Sequence, residues 1–359
     1  MPDRTTLGEA LAAQGVSRRA FLKYASYLAT AMALPASATG VIAQSLANAR
    51  RQSVIWLSFQ ECTGCTESIT RSFSPTLEDL IFNFISLDYH HTLQAVSGHA
   101  AEHAREQATA ENHGKYIVIV DGSIPVKDGG VYSTIAGITN EQMLRDTCKG
   151  ALAVVSVGTC AAFGGIPQAK PNPTGAVAVT DIIKDKPVVN IPGCPPIPEA
   201  MTGTIAYLLS FGKLPELDSK NRPLAFFGET IHDRCYRRPF YERGLFADSF
   251  DDEGARKGWC LFKVGCKGPI AYNACATLKW NGGVSFPIQS GHGCIGCSEP
   301  QFWDKGSFYK PLAAGRAEIS PAVGVAAAAG AAAGAVGAHL IKQRRQDVAD
   351  RAAKKTTEG

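Results

Sequence analysis

The sequence lacks a charge imbalance. Thirty-six basic and 32 acidic residues leave a formal net charge of +4 over 359 residues. Most of that excess sits after residue 341, where Lys342, Arg344, Arg345, Arg351, Lys354 and Lys355 meet Asp347, Asp350 and Glu358. No basic stripe is left in the body of the chain, so a nucleic-acid face has no electrostatic footing. The chain also lacks an even number of cysteines. Eleven thiols cannot all pair, although five disulfides stay arithmetically open. Beyond Pro223 it lacks long periodic apolar runs, so that part buries little aliphatic core. At 45% apolar and 19% charged residues the chain still suffices for two folded domains.

Both ends carry addressing features. Ser17-Arg-Arg-Ala-Phe-Leu-Lys23 is followed by an uncharged run over 24–40, the pattern of a twin-arginine export signal covering 1–43. Ala36-Ser37-Ala38 fits a small-residue cleavage site, and Ala43 offers a second. The bland alternative is an amphipathic helix with a chance arginine pair. At the other end, 321–341 reads PAVGVAAAAGAAAGAVGAHLI, with His339 its one strongly polar side chain. That is about the length needed to span a hydrocarbon core; a flexible Ala/Gly linker is the alternative. Gly330 and Gly334 form a G-x-x-x-G suited to close helix packing. The basic tail 342–359 places that end in the cytoplasm by the positive-inside rule. The body then lies on the periplasmic side, exported already folded with any cofactor installed.

From Gln52 to residue 222 short apolar runs alternate with helical stretches. Runs at 53–59, 116–121, 151–157 and 187–191, with a further one around 84–89, read as strands buried on both faces. Helices are expected over 95–110, 140–149, 176–184 and 199–211. This rhythm predicts a doubly wound, flavodoxin-like parallel α/β sheet over 50–222. Ligands of such sheets sit beyond the carboxyl ends of the strands. Cys62 and Cys65 (E-C-T-G-C) follow the first strand, Cys160 (G-T-C-A-A-F-G-G) the strand at 151–157, and Cys194 (I-P-G-C-P-P) the strand at 187–191. Four thiols on one rim suit either zinc or an iron–sulfur cluster. Zinc usually takes two close pairs, whereas one pair joined by two distant cysteines is the arrangement of a cluster held in a rim.

The segment 223–312 is dense in cysteine: His232 and Cys235 (H-x-x-C), Cys260 and Cys266 (W-C-x5-C-K-G-P), Cys275, and Cys294 with Cys297 (C-x-G-C). Metal centres would supply the stability that its sparse core does not. Together these motifs resemble the small subunit of membrane-bound periplasmic nickel–iron uptake hydrogenases, from Arg18 to the tail. The resemblance implies an irregular iron–sulfur domain over 223–312 and three clusters in line. Cys62, Cys65, Cys160 and Cys194 would hold a proximal 4Fe-4S cluster. His232, Cys235, Cys260 and Cys266 would hold a distal 4Fe-4S cluster. Cys275, Cys294 and Cys297 would hold a medial 3Fe-4S cluster, Pro287 standing where a fourth ligand is expected. An imidazole in place of a thiolate raises a cluster's potential. Cys148 is left over as an inert buried thiol, and His292 as a supporting or structural residue.

The same resemblance implies an obligate large subunit holding the nickel–iron centre where hydrogen is split, and a membrane cytochrome b or quinone-linked acceptor. This chain would relay electrons and break no bonds itself. Oxygen-tolerant relatives add two cysteines at the proximal cluster; the matching positions here are Gly64 and Gly165, which predicts the ordinary four-cysteine form. The large-subunit interface is expected around 60–67, 158–167 and 192–198, with Glu61 near it.

Overall fold

Five apolar runs of the first half form one parallel sheet in the computed structural model, which describes residues 6, 8–9, 17–32, 34–48, 51–73, 75–305 and 308–312. The helices α1 (Arg18–Ala31) and α2 (Ala38–Asn48) precede the sheet. Then come β1 (Gln52–Ser58), α3 (Gly64–Ile69), β2 (Ile85–His90), α4 (Gly98–Glu111), β3 (Tyr116–Asp121), α5 (Asn140–Cys148), β4 (Ala151–Val157), α6 (Gly158–Phe163), β5 (Val188–Ile191) and α7 (Pro198–Phe211). The strand order is β2-β1-β3-β4-β5 and every neighbouring pair is parallel. This is the flavodoxin-like order, whose switch point lies between β1 and β3.

Alternation along the strands feeds two cores. Val54, Trp56, Ile117 and Ile119 face one; Ile55, Leu57, Val118 and Val120 face the other. Because helices cover both faces, the central strand β3 is buried at every position rather than at every second residue. The helix ends follow local chemistry. Thr139 caps α5 by accepting from the Gln142 N–H at 3.3 Å. Pro198 opens α7, and Gly212, at φ 61, ends it.

The helix expected over 176–184 does not form. Ala176–Val177 instead pairs antiparallel with Ile124–Pro125, leaving one helical turn at Val179–Ile182. The Asn172 side chain accepts from the Ala176 N–H at 2.7 Å, and Asp181 accepts from the Ala178 N–H at 2.9 Å. Those side chains commit the backbone before a longer helix can start.

The described residues of 18–48 are folded onto the domain. Ala25 and Ala29 of α1 and Ile42 and Ala43 of α2 join the core cluster that also holds Ala200, Met201 and Ile205 of α7. Ala36 and Ser37 lie exposed in the turn between α1 and α2, while Ala43 is buried within a helix. A cut at that turn would leave most of α2 in place. The expected membrane span 321–341 and tail 342–359 lie outside the described residues. Among the described residues no helix is long and apolar enough to cross a membrane.

After residue 222 the backbone is a series of short turns, such as Arg238–Glu242, Phe262–Val264 and Ala274–Ala276. Their core includes Cys235, Cys266, Cys275 and Cys294 beside Ile197, Leu261 and Phe286, so thiols do part of the packing that aliphatic side chains do elsewhere. A buried ion-pair network ties this half to the first. Arg222, 2% exposed, donates to Asp218 at 2.8 Å and to Glu299 at 2.8 Å. Glu299 also accepts from the Tyr272 N–H at 2.8 Å. Removing one partner of such a pair strands a buried charge. Arg222→Met should therefore cost about 3–5 kcal/mol, read as a lower unfolding midpoint. Lys149→Met, which breaks a pair 74% and 41% exposed, should stay within about 0.5 kcal/mol.

Candidate metal centres

The inner group of thiols forms where β1, β4 and β5 end. Thr63 turns through the left-handed region at φ 65, so that α3 carries Cys65 in its first turn. Cys160 lies in α6, directly after β4, and Cys194 three residues past β5. Burial raises Cys65 well above the ordinary thiol range, and Asp121, Cys160, Cys194 and Cys62 add to the effect. Burial likewise pushes Cys160 up to about 11 and Cys194 up to about 12, with Cys62 among the repelling neighbours of both. The four thiols predicted from the rim therefore face one another. Gly158 allows this approach: at φ +84, a Cβ there would stand 2.4 Å from the Cys65 Sγ. Gly165 and Gly64 also abut sulfur, since a Cβ at Gly165 would lie 2.7 Å from Cys160 Sγ and one at Gly64 3.2 Å from Cys62 Sγ.

Asp121, fully buried at the end of β3, is a neighbour of this group that sequence reasoning does not single out. Thr66, next to Cys65, donates its hydroxyl to Asp121 at 3.4 Å. Burial, and then Glu61, push its carboxyl up to about 7. Its position as the last residue of an apolar strand run is the available signal.

His232, Cys235, Cys260 and Cys266 line one small cavity, with Arg237 in the same wall. The His232 ring is half-buried edge-on against Tyr241 at 4.6 Å between centroids. Burial, and next the Arg238 guanidinium, hold its imidazole below the ordinary value, in the neutral form that can donate a lone pair. Backbone N–H groups of Arg237 and Gly268 donate to the sulfurs of Cys235 and Cys266, each at 3.4 Å.

Cys275, Cys294 and Cys297 line a second cavity of about 320 Å³, and Pro287 and His292 share its wall. Apart from these thiols the wall is mostly apolar, including Ile231, Phe286 and Phe308. The Gly296 N–H donates to Cys294 Sγ at 3.3 Å. His292 hydrogen-bonds the Gly293 carbonyl through Nδ1 at 2.7 Å and stacks on Phe250, a structural role.

The middle group touches both others. The Cys194 and Cys297 thiols lie close enough to repel each other, and the Cys294 N–H donates to Cys266 Sγ at 3.3 Å. Thr159, beside Cys160, donates its hydroxyl to the Cys297 carbonyl and accepts from the Gly193 N–H at 2.9 Å. The sequence offers no hint of these bridges, one of which joins residues 138 apart.

All eleven cysteines are free thiols. Cys148 stands apart in α5, 1% exposed and pushed up to about 12 by burial. The other ten fall into the three groups. Buried sulfurs that repel one another ionise only beside a cationic partner, so the donor chemistry fits bound metal. Among the described residues no three His, Cys, Asp or Glu side chains close round a single metal ion.

Comparison with known proteins agrees on both halves. A family model for the C-terminal part of the NiFe/NiFeSe hydrogenase small subunit matches residues 227–310. One described as NADH ubiquinone oxidoreductase, 20 Kd subunit, matches residues 62–208. The uptake hydrogenase small subunit of Azotobacter vinelandii is 48% identical, over 96% of this chain and 98% of its own. The hydrogenase-1 small chain of Escherichia coli is 46% identical, over 95% and 92%. Among solved structures, the reduced, active Ni-Fe-Se hydrogenase from Desulfomicrobium baculatum has a chain 36% identical with TM-score 0.70, covering 73% of this chain and all of that one.

The close approach at Gly158 is testable. Gly158→Ala should displace Cys65, and bound iron per chain should fall by one centre's worth in a metal assay. Unchanged iron would show that Cys65 is not held there.

Proposed function

The chain belongs to the nickel–iron uptake hydrogenase small-subunit family, and from that premise we propose that it conducts electrons through three iron–sulfur clusters held by the residue groups above. As a hydrogenase small subunit it serves electron transfer beside a large subunit that carries the nickel–iron centre. The match of 62–208 to a respiratory-complex subunit marks a shared first domain. Relatives that align over more than nine-tenths of the chain, and the match of 227–310, put it among the hydrogenases.

The observation that carries the relay is that the middle group meets both others, the Cys297 thiol repelling that of Cys194 and the Cys294 N–H donating to Cys266 Sγ at 3.3 Å. Electron tunnelling weakens exponentially with distance, so order is set by which ligand groups touch. The middle group touches both neighbours. That supports the sequence proximal (Cys62, Cys65, Cys160, Cys194), medial (Cys275, Cys294, Cys297), distal (His232, Cys235, Cys260, Cys266). When bound, an iron–sulfur cluster supplies a one-electron store with its charge spread over several atoms. The protein's own part is to hold the sulfurs, exclude water and donate N–H groups to them. Three thiols and Pro287 round the middle cavity favour a 3Fe-4S centre there, and the two four-ligand groups favour 4Fe-4S.

Cys62 and Thr63 are exposed at the inner rim, and Ile166 is 40% exposed. This supports a large-subunit interface around 60–67, 158–167 and 192–198. We further infer twin-arginine export from 1–43, anchoring by 321–341, a body on the periplasmic side of the inner membrane, and transfer to a membrane cytochrome b or quinone-linked protein. The half-buried His232 marks the side from which electrons leave.

Affinity purification from solubilised membranes should yield a nickel-bearing large subunit, and about eleven irons with about twelve acid-labile sulfides on this chain. Zinc without iron would refute the assignment. Truncation after Leu312 should release the heterodimer from membranes with its iron intact; retention in the membrane would show that 321–341 is not the anchor.

A further inference from the structure

Arg237 is a buried cation at the outer centre. It is 6% exposed and lines the cavity with His232, Cys235, Cys260 and Cys266. Its Nε donates to the Tyr236 phenol oxygen at 2.7 Å and its Nη1 to the Trp259 carbonyl at 2.8 Å. Among the described residues it has no carboxylate partner. Its neighbour Arg238 differs: it is 43% exposed and paired with Glu242 at 2.9 Å and Asp233 at 3.7 Å, so its charge is offset. Arg237 thus places a fixed, largely uncompensated positive charge in the wall of this cavity. Its field reaches three of the four donors, favouring the thiolate forms of Cys235, Cys260 and Cys266. Lys267, 4% exposed and next in sequence to Cys266, adds a second buried cation whose field reaches the Cys266 and Cys294 thiols. The inner group has the opposite neighbour, the buried carboxyl of Asp121.

Reduction adds a negative charge to a centre. A cation held nearby out of water stabilises the reduced state, and salt screens it little. We propose that Arg237 sets the reduction potential of the outer centre, holding it above the value its four ligands alone would give. Arg237 acts through charge and ligates nothing. The inference rests on the assignment of His232, Cys235, Cys260 and Cys266 to one centre. If Arg237 served only to brace the Trp259 carbonyl, an uncharged side chain with an N–H donor would replace it.

The test is a redox titration of the purified heterodimer followed by electron paramagnetic resonance, with iron content measured alongside. In Arg237→Gln, which keeps a donor and loses the charge, the outer centre's midpoint should fall while the inner centre's stays put. In Arg237→Lys it should remain near wild type. An unmoved midpoint in Arg237→Gln with the outer signal intact overturns the proposal. So does a fall in Arg237→Lys as large as in Arg237→Gln. Should Arg237→Gln lose that centre's iron, Tyr236→Glu sets a carboxylate beside the guanidinium and should lower the midpoint; no change there overturns the proposal as well. A wild-type protein without any outer signal defeats the ligand assignment itself, a different failure.

Discussion

Ten thiols packed into three groups, most of them out of water, are the constraint on which the rest of the molecule depends. Burial pushes Cys65, Cys194 and Cys294 far above the range in which a thiol ionises at neutral pH, and each group repels itself further. Such an arrangement is unfavourable as empty thiolates and favourable round metal. The second half has few alternatives. Its core counts Cys235, Cys266, Cys275 and Cys294 among its buried members, and its backbone consists of single turns. In a segment that short of aliphatic packing, binding energy at the metal becomes folding energy.

The two halves are held in one geometry by few but buried interactions. Arg222, Asp218 and Glu299 join the end of the first domain to the strip that carries Cys294 and Cys297. Thr159 ties the loops of Cys160 and Cys194 to the Cys297 carbonyl. Both sets act on the junction between inner and middle groups, where in the proposed relay an electron crosses from one domain to the other. Packing that looks like domain docking therefore also sets a tunnelling distance.

Charge is distributed along the row. A buried carboxyl, Asp121, stands at the inner end, and buried cations, Lys267 and Arg237, at the outer end, where an imidazole already replaces a thiolate. Each of these makes an added electron less welcome at the inner end and more welcome at the outer. This gradient is built into side chains whose positions the fold holds rigid, so it needs no moving part.

The sequence alone determined the sheet, because strands buried in its middle are written as apolar runs, and it singled out the candidate ligands, because cysteine and histidine carry their chemistry at recognisable spacings. It erred at 176–184, where Asn172 and Asp181 take the backbone that a helix would have used. It was silent on Asp121, Thr159, Arg222 and Arg237, whose residue types are common and whose importance comes from burial beside a thiol or an opposite charge. Only the tertiary structure decided which cysteine groups touch. Those contacts join residues such as Thr159 and Cys297, far apart along the chain, and spacing along a chain holds no information about distance across a folded interior.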